Sequence, residues 1–156
     1  MRRTPGVLPP IARPQYSGVN LEYVFSADMP AAPFDAMLGL KYISVTPDGV
    51  TAELTVTPSL HQPTGIVHGG VWCAVVESVA SVSGFVWLSD HGGGIAVGVN
   101  NNTDFLRGIS SGTVTAVSEP LHRGRLQQLW AVSIRDATER LVARGQVRLQ
   151  NLPHGD

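Results

Sequence analysis

The stretch HQPTGIVHGGVWCAVVESVAS, residues His61 to Ser81, sets two histidines and a glycine pair ahead of an apolar run that holds a single carboxylate, Glu77. From Val71 to Leu88 thirteen of eighteen residues are apolar, so a helix wound from them is apolar on nearly every side. Such a helix belongs at the centre of a fold. Helical spacing places Cys73 and Ser81 one turn either side of Glu77, on the same face. A carboxylate there must be paired, hydrated or reactive, because burying it alone is costly. On residue type alone it could equally face solvent or a subunit interface and bond to Ser81. At the head of the helix, His68-Gly69-Gly70 leaves unpaired N–H groups at the positive end of the helix dipole. Glycine lets a ligand approach them, so this end can polarise a carbonyl while a nearby acid attacks it or activates water. Taken alone, the tripeptide is equally a glycine helix start with no ligand. Gly69 and Glu77 are eight residues apart, or about 12 Å along the axis at the helical rise per residue. One small reacting group does not reach both within a chain. If they act together, Glu77 serves a substrate held by the Gly69 of a second subunit, which makes a homodimer part of the expectation.

Outward from this helix, expected over Gly69 to Leu88, the pattern changes. Residues 1–30 are rich in Pro, Gly and Ser and predict an extended or flexible arm. A short helix is expected across Ala32 to Leu38, with Pro33 in its first turn and Gly39 at its stop. In VTAELTVT, Val50, Ala52, Leu54 and Val56 share one face and Thr51, Glu53, Thr55 and Thr57 the other; Pro47-Asp48-Gly49 supplies the turn of a hairpin. Beyond the helix and its closing His91-Gly92-Gly93-Gly94, four alternating segments follow: Ile95 to Phe105, Thr113 to Leu121, Leu126 to Arg135 and Arg140 to Gln150. Short turns between them require antiparallel pairing, and one apolar helix must be wrapped by the sheet to be buried. The expected class is α+β: a curved antiparallel sheet of five to six strands around one long helix, over residues 31–152.

At 156 residues the chain predicts one domain with a genuine core. Eleven Lys+Arg against twelve Asp+Glu give a net charge of -1, too weak a field to gather nucleic acid or an anionic membrane. All but one of the cations are arginines, suited to forked bonds with phosphate or carboxylate where several converge. A single cysteine, Cys73, excludes an internal disulfide and a zinc-thiolate cluster, and fits a reducing cytoplasm. The N-terminus has prolines where a secretory signal needs an apolar core. The apolar run is near the lower length for a membrane span, but Glu77, Ser78, Ser81, Ser83 and Gly84 interrupt it, so a buried helix of a soluble fold is expected.

Together these residues resemble the hotdog-fold thioesterases, in the branch of the Arthrobacter-type 4-hydroxybenzoyl-CoA thioesterase and the proofreading thioesterase of enterobactin synthesis. The resemblance rests on Gln62, on His68-Gly69-Gly70, on Glu77 nine residues after His68 and on Ser81 one turn further. VGVNNNTDFLRG, GTVTAVSEPLHRGR and LWAVSIRD extend it over about residues 35 to 150. It implies a hotdog fold in which two subunits join their sheets and each active site spans the interface, with dimers usually paired into tetramers. It implies that Glu77 attacks the thioester carbonyl or serves as base for water, that the Gly69 N–H polarises the thioester oxygen, that Gln62 and His68 support that site, and that Ser81 positions water or Glu77. Gly70, Asn102 and Thr103 would lie along the substrate. Family substrates carry coenzyme A or a carrier-protein pantetheine and need no separate cofactor; Arg107, Ser110, Ser111, His122, Arg123 and Arg125 could meet the phosphates. Where the enterobactin-pathway relative has a histidine pair shortly before Arg107, this chain has Asp104-Phe105, which implies a different acyl pocket.

Two decoys fail on context. Gly108-Ile109-Ser110-Ser111-Gly112 matches G-x-S-x-G and His91 to Gly94 resembles a lipase oxyanion stretch, but a nucleophile elbow needs a strand before and a helix after it, and strands flank both sides here. His61 and His68, seven residues apart, fit no helical metal pattern even with Glu77 or His122, so no metal is expected. Cys73 is expected to pack rather than react. Two rivals remain: a hotdog dehydratase of hydroxyacyl thioesters using His68 with Glu77, and a non-catalytic binder of acyl thioesters. Gln62 and the Gly69 arrangement favour hydrolysis over the first, and retention of the acid with its supporting set counts against the second.

Overall fold

A computed structural model describes residues 32–152, so the arm expected over residues 1–30 lies outside the described residues. Pro33–Leu38 forms α1, with Pro33 in the first turn and Gly39 in the left-handed region at its end (φ 80°). Leu40–Thr46 (β1) and Gly49–Thr55 (β2) form the hairpin, and Pro58–Leu60 makes one 3-10 turn before α2, Gly69–Ser89. Ile95–Phe105 (β3), Thr113–Arg123 (β4), Gln127–Asp136 (β5) and Leu141–Leu152 (β6) complete the chain. Each expected element is present, with ends displaced by no more than two residues. The strands form one six-stranded sheet in the order β1-β2-β4-β5-β6-β3, antiparallel at every pairing. This is the hotdog fold, with β1 and β3 as its edges.

Period two in the strands and apolar cover on the helix produce one shared core. Val50, Ala52 and Leu54 of β2 point inward with Val114 and Ala116 of β4, Trp130, Val132 and Ile134 of β5, and Val147 and Leu149 of β6. Against them lie Val75, Val76, Val79 and Ala80 of α2, all completely buried. Each of these valines contributes about 1.5–3 kcal/mol of burial energy, which holds the helix in place despite its one carboxylate. The most apolar window of Gly69–Asp90 is long enough to cross a membrane, yet half of it is buried within this fold.

Two sets of polar groups in the interior are paired. Asp35 of α1 accepts from Tyr42 Oη (2.7 Å) and Ser78 Oγ (2.6 Å), which pins α1 to α2. Gln128 is fully buried; its amide donates to Gly84 O (3.1 Å) and Asn151 Oδ1 (2.7 Å) while its Oε1 accepts from Trp130 Nε1 (2.8 Å). At Gly84 the helix passes so close to the sheet that a methyl group would overlap Leu149.

The β5–β6 register shifts between Ile134 and Arg135, opposite buried Val142, and one residue is skipped in each of β1 between Tyr42 and Ser44, β3 between Gly98 and Asn100 and β4 between Pro120 and His122. The residues left over, Ile43, Val99 and Leu121, are large apolar side chains exposed on the surface. Such bulges sharpen the local twist and help a sheet close round a helix. The one at Val99 also decides which side chains of β3 face α2.

Candidate active site

Glu77 lies midway along α2, half-buried where the helix crosses edge strand β3. Three neighbours hold it. Ser81, one turn on, donates to Oε1 at 3.3 Å; Asn101 Nδ2 donates to Oε2 at 2.9 Å; and Gly98 of β3 offers bare backbone beside Oε1, where any Cβ would collide. Asn101 Nδ2 also donates to the Cys73 carbonyl (3.1 Å), and Thr103 Oγ1 donates to Asn101 Oδ1 (2.7 Å). The sequence-based set contained Ser81 and Thr103 but missed Asn101 and Gly98. Unbroken alternation from Ala96 would put Gly98, Asn100 and Asn102 on one face. The bulge at Val99 reverses that parity, so Ala96 and Gly98 face the helix together with Asn101 and Thr103, while Asn100 and Asn102 face outward beside Arg148 and Gln146. Asn102, expected along the substrate, therefore stands on the face of the sheet opposite Glu77.

The head of α2 is built by its own cap. His68 is extended (φ -65°, ψ 134°) and its Nδ1 accepts from the Gly70 N–H at 2.8 Å. That bond leaves the ring proton of a neutral imidazole on Nε2. The Gly69 N–H has no partner among the described residues, as the first turn of a helix requires. The Phe105 ring packs on Gly69, 2.5 Å from where a Cβ would stand, although 54 % of that residue remains exposed. Gln62 is turned into its own loop: its Nε2 donates to Thr64 Oγ1 (2.6 Å) and its Oε1 accepts from the Thr64 N–H (2.9 Å), so it does not contact the helix start. His61 bridges to Val67, with its Nε2 buried and unpartnered among the described residues.

The expected phosphate donors separate into two groups. Arg107, Ser110 and Ser111 are exposed in the β3–β4 loop at the Gly69 end, which is tied there by the Val67 N–H bond to Ile109 O (2.9 Å). His122 and Arg123 end β4 and Arg125 lies in the β4–β5 turn, at the opposite end of α2, about 30 Å away at the helical rise over its 21 residues. There Arg123 lies over the rings of Trp87 and Trp130, donates to the Pro47 carbonyl and forms a 2.9 Å ion pair with Asp48, so its charge is already matched. Arg125 is exposed and lines a hollow of about 310 Å³ with Trp87 and His91, whose rings stack 4.4 Å apart. No cluster of three or more His, Cys, Asp or Glu suited to a metal occurs among the described residues.

This arrangement provides a fixed carboxylate at a sheet edge and, separately, an unpaired N–H at a helix start. The thioesterase superfamily model matches residues 64–143, a span that contains both. Rv1847 of Mycobacterium tuberculosis, provisionally named an esterase, is 61 % identical over 133 residues, covering 81 % of this chain and 95 % of that protein. The crystal structure of AziG from S. sahachiroi superposes with a TM-score of 0.76 at 49 % identity, covering 78 % of this chain and 98 % of AziG. The thioesterase HI1161 of Haemophilus influenzae gives a TM-score of 0.73 at 30 % identity over 79 % of this chain and 85 % of its own. The chain belongs to the thioesterase superfamily. Family and relatives together support a hydrolase of the thioesterase or esterase kind.

Proposed function

We propose that the protein hydrolyses an acyl thioester of coenzyme A, or of a pantetheinylated carrier protein, in a cleft shared by two copies of the chain. One observation carries this reading: the Glu77 carboxylate is held half-buried beside β3, an edge strand among the described residues, about 12 Å along α2 from the Gly69 N–H of its own chain. A second copy supplies the missing donor if β3 pairs with its symmetry mate, an isologous contact that also covers the exposed Val99. Two such dimers would pair into a tetramer, working in the cytoplasm.

The substrate carbonyl oxygen accepts from the partner's Gly69 N–H, where the helix dipole stabilises developing negative charge. By one route a Glu77 oxygen attacks the carbonyl carbon, the C–S bond breaks to release the thiolate, and water then cleaves the mixed anhydride. By the other, Glu77 takes a proton from water as the water oxygen bonds to carbon, and the tetrahedral intermediate expels the thiolate. Coenzyme A enters only as part of the substrate, and no cofactor is invoked. Arg107, Ser110 and Ser111 at one end of the cleft and His122 and Arg125 at the other are the exposed donors for its phosphates.

Release of free thiol from a panel of aryl- and acyl-CoA esters tests this directly. A hydrolase frees thiol, a dehydratase yields an enoyl thioester and a binder does neither. Glu77→Ala is expected to remain a folded oligomer and to lose at least ~10³-fold of the rate, since it deletes the attacking or basic group. Retained turnover would reject the assignment.

A further inference from the structure

We propose that Asn101, with its amide oriented by Thr103, is a positioning residue that holds Glu77 by Oε2 and leaves Oε1 as the reacting oxygen. The inference rests on thioester hydrolysis at Glu77. The orientation of the amide follows from its three partners. The Cys73 carbonyl (3.1 Å) is an acceptor only, and an ionised Glu77 Oε2 (2.9 Å) is another, so the amide must present its two N–H bonds to them. Oδ1 then points away, where the Thr103 hydroxyl donates to it at 2.7 Å. Turning the amide over would set its oxygen against two acceptors and lose the Thr103 bond.

The two carboxylate oxygens are thereby made unequal. Oε2 has a short bond from an amide that is itself braced on α2 and β3. Among the described residues, Oε1 has the 3.3 Å contact from Ser81 and the bare backbone of Gly98 beside it. A proton on Oε2 would confront the Asn101 N–H, so any proton taken from water goes to Oε1. Among the described residues, the contacts to Glu77 from β3 come from uncharged Gly98 and Asn101; on α2 itself, Ser81 is uncharged and Cys73 is the titratable neighbour one turn back.

The test compares Asn101→Ala, Thr103→Val and Thr103→Ser with the unaltered protein and with Glu77→Ala, using thiol release across pH. Removing a bond to a charged group should lower kcat about 10–100-fold in Asn101→Ala, with KM little changed and the acid limb of kcat/KM moved to higher pH. Thr103→Val keeps the shape but frees the amide to turn, and should move the limb in the same direction with a smaller loss of rate. Thr103→Ser should restore both. A merely structural role would lower the amount of active protein without moving the limb. Unmoved acid limbs in both Asn101→Ala and Thr103→Val, beside an inactive Glu77→Ala, would overturn this inference and leave the catalytic assignment standing. Full turnover in Glu77→Ala would overturn both.

Discussion

Gly98 carries no side chain at the point where one would displace the acid. A Cβ there would run into Glu77 Oε1, and the carboxylate, being the far end of a flexible side chain, would yield before the strand did. Gly98→Ala should therefore fold with a melting temperature close to that of the unaltered protein while losing on the order of 10²-fold in kcat, the usual cost of a misplacement of about an ångström. A large loss of stability with normal specific activity would show that the glycine serves packing. At this scale the sequence was partly legible. Glu77 and Ser81 are found from helical spacing, and His68 from its place before two glycines, because local geometry fixes them. Asn101 escapes because one residue of bulge at Val99 reverses the inward face of β3 beyond it, and Gly98 because a glycine has no side chain to suggest a role until Glu77 is placed beside it. The Gln62 side chain is likewise undecided by sequence: its own Thr64 offers a donor closer than the helix start does.

At the scale of elements, alternation and turn chemistry located all six strands and both helices, since each buries an apolar face that the pattern records. Close approaches between elements were not legible. Gly84 looks like a weak point in a helix until the sheet places Leu149 against it; Gly84→Ala is expected to lower stability by about 1–3 kcal/mol in denaturant unfolding, although alanine is the better helix former. The β5–β6 turn gives a pH-dependent counterpart. Partial burial works to raise the Asp136 carboxyl, but the Arg140 guanidinium, the Thr138 hydroxyl and the backbone amides of Thr138 and Arg140 outweigh it and hold it well below the ordinary carboxylate range. Its stabilisation is then fully present above about pH 4, the value of a free aspartate, and fades as pH falls from there toward the folded value. The melting-temperature gap between the protein and Asp136→Asn should be widest near neutral pH and narrow below pH 4. A gap that stays constant across that range would remove the turn's carboxylate from the account.

For the molecule as a whole, the separation along α2 matters most. Glu77 and the Gly69 N–H cannot meet on one small group within a chain, whereas β3, an edge strand among the described residues, offers a second copy a place to pair. The sequence gives this distance because a helix has a fixed rise, but it does not say which strand lies at the edge; only the order β1-β2-β4-β5-β6-β3 does. The decisive measurement mixes two inactive chains. Gly69→Pro removes the N–H at a position where proline suits a first helical turn, and His68 already has the extended backbone that proline requires before it. Gly69→Ala, which adds the same Cβ against Phe105 but keeps the N–H, is its control. Glu77→Ala and Gly69→Pro should each be nearly inactive alone. Co-expressed, half of the dimers are mixed and each holds one intact site, so thiol release should recover to about a quarter of that of the unaltered protein. No recovery in mixed dimers that demonstrably form would contradict the shared cleft.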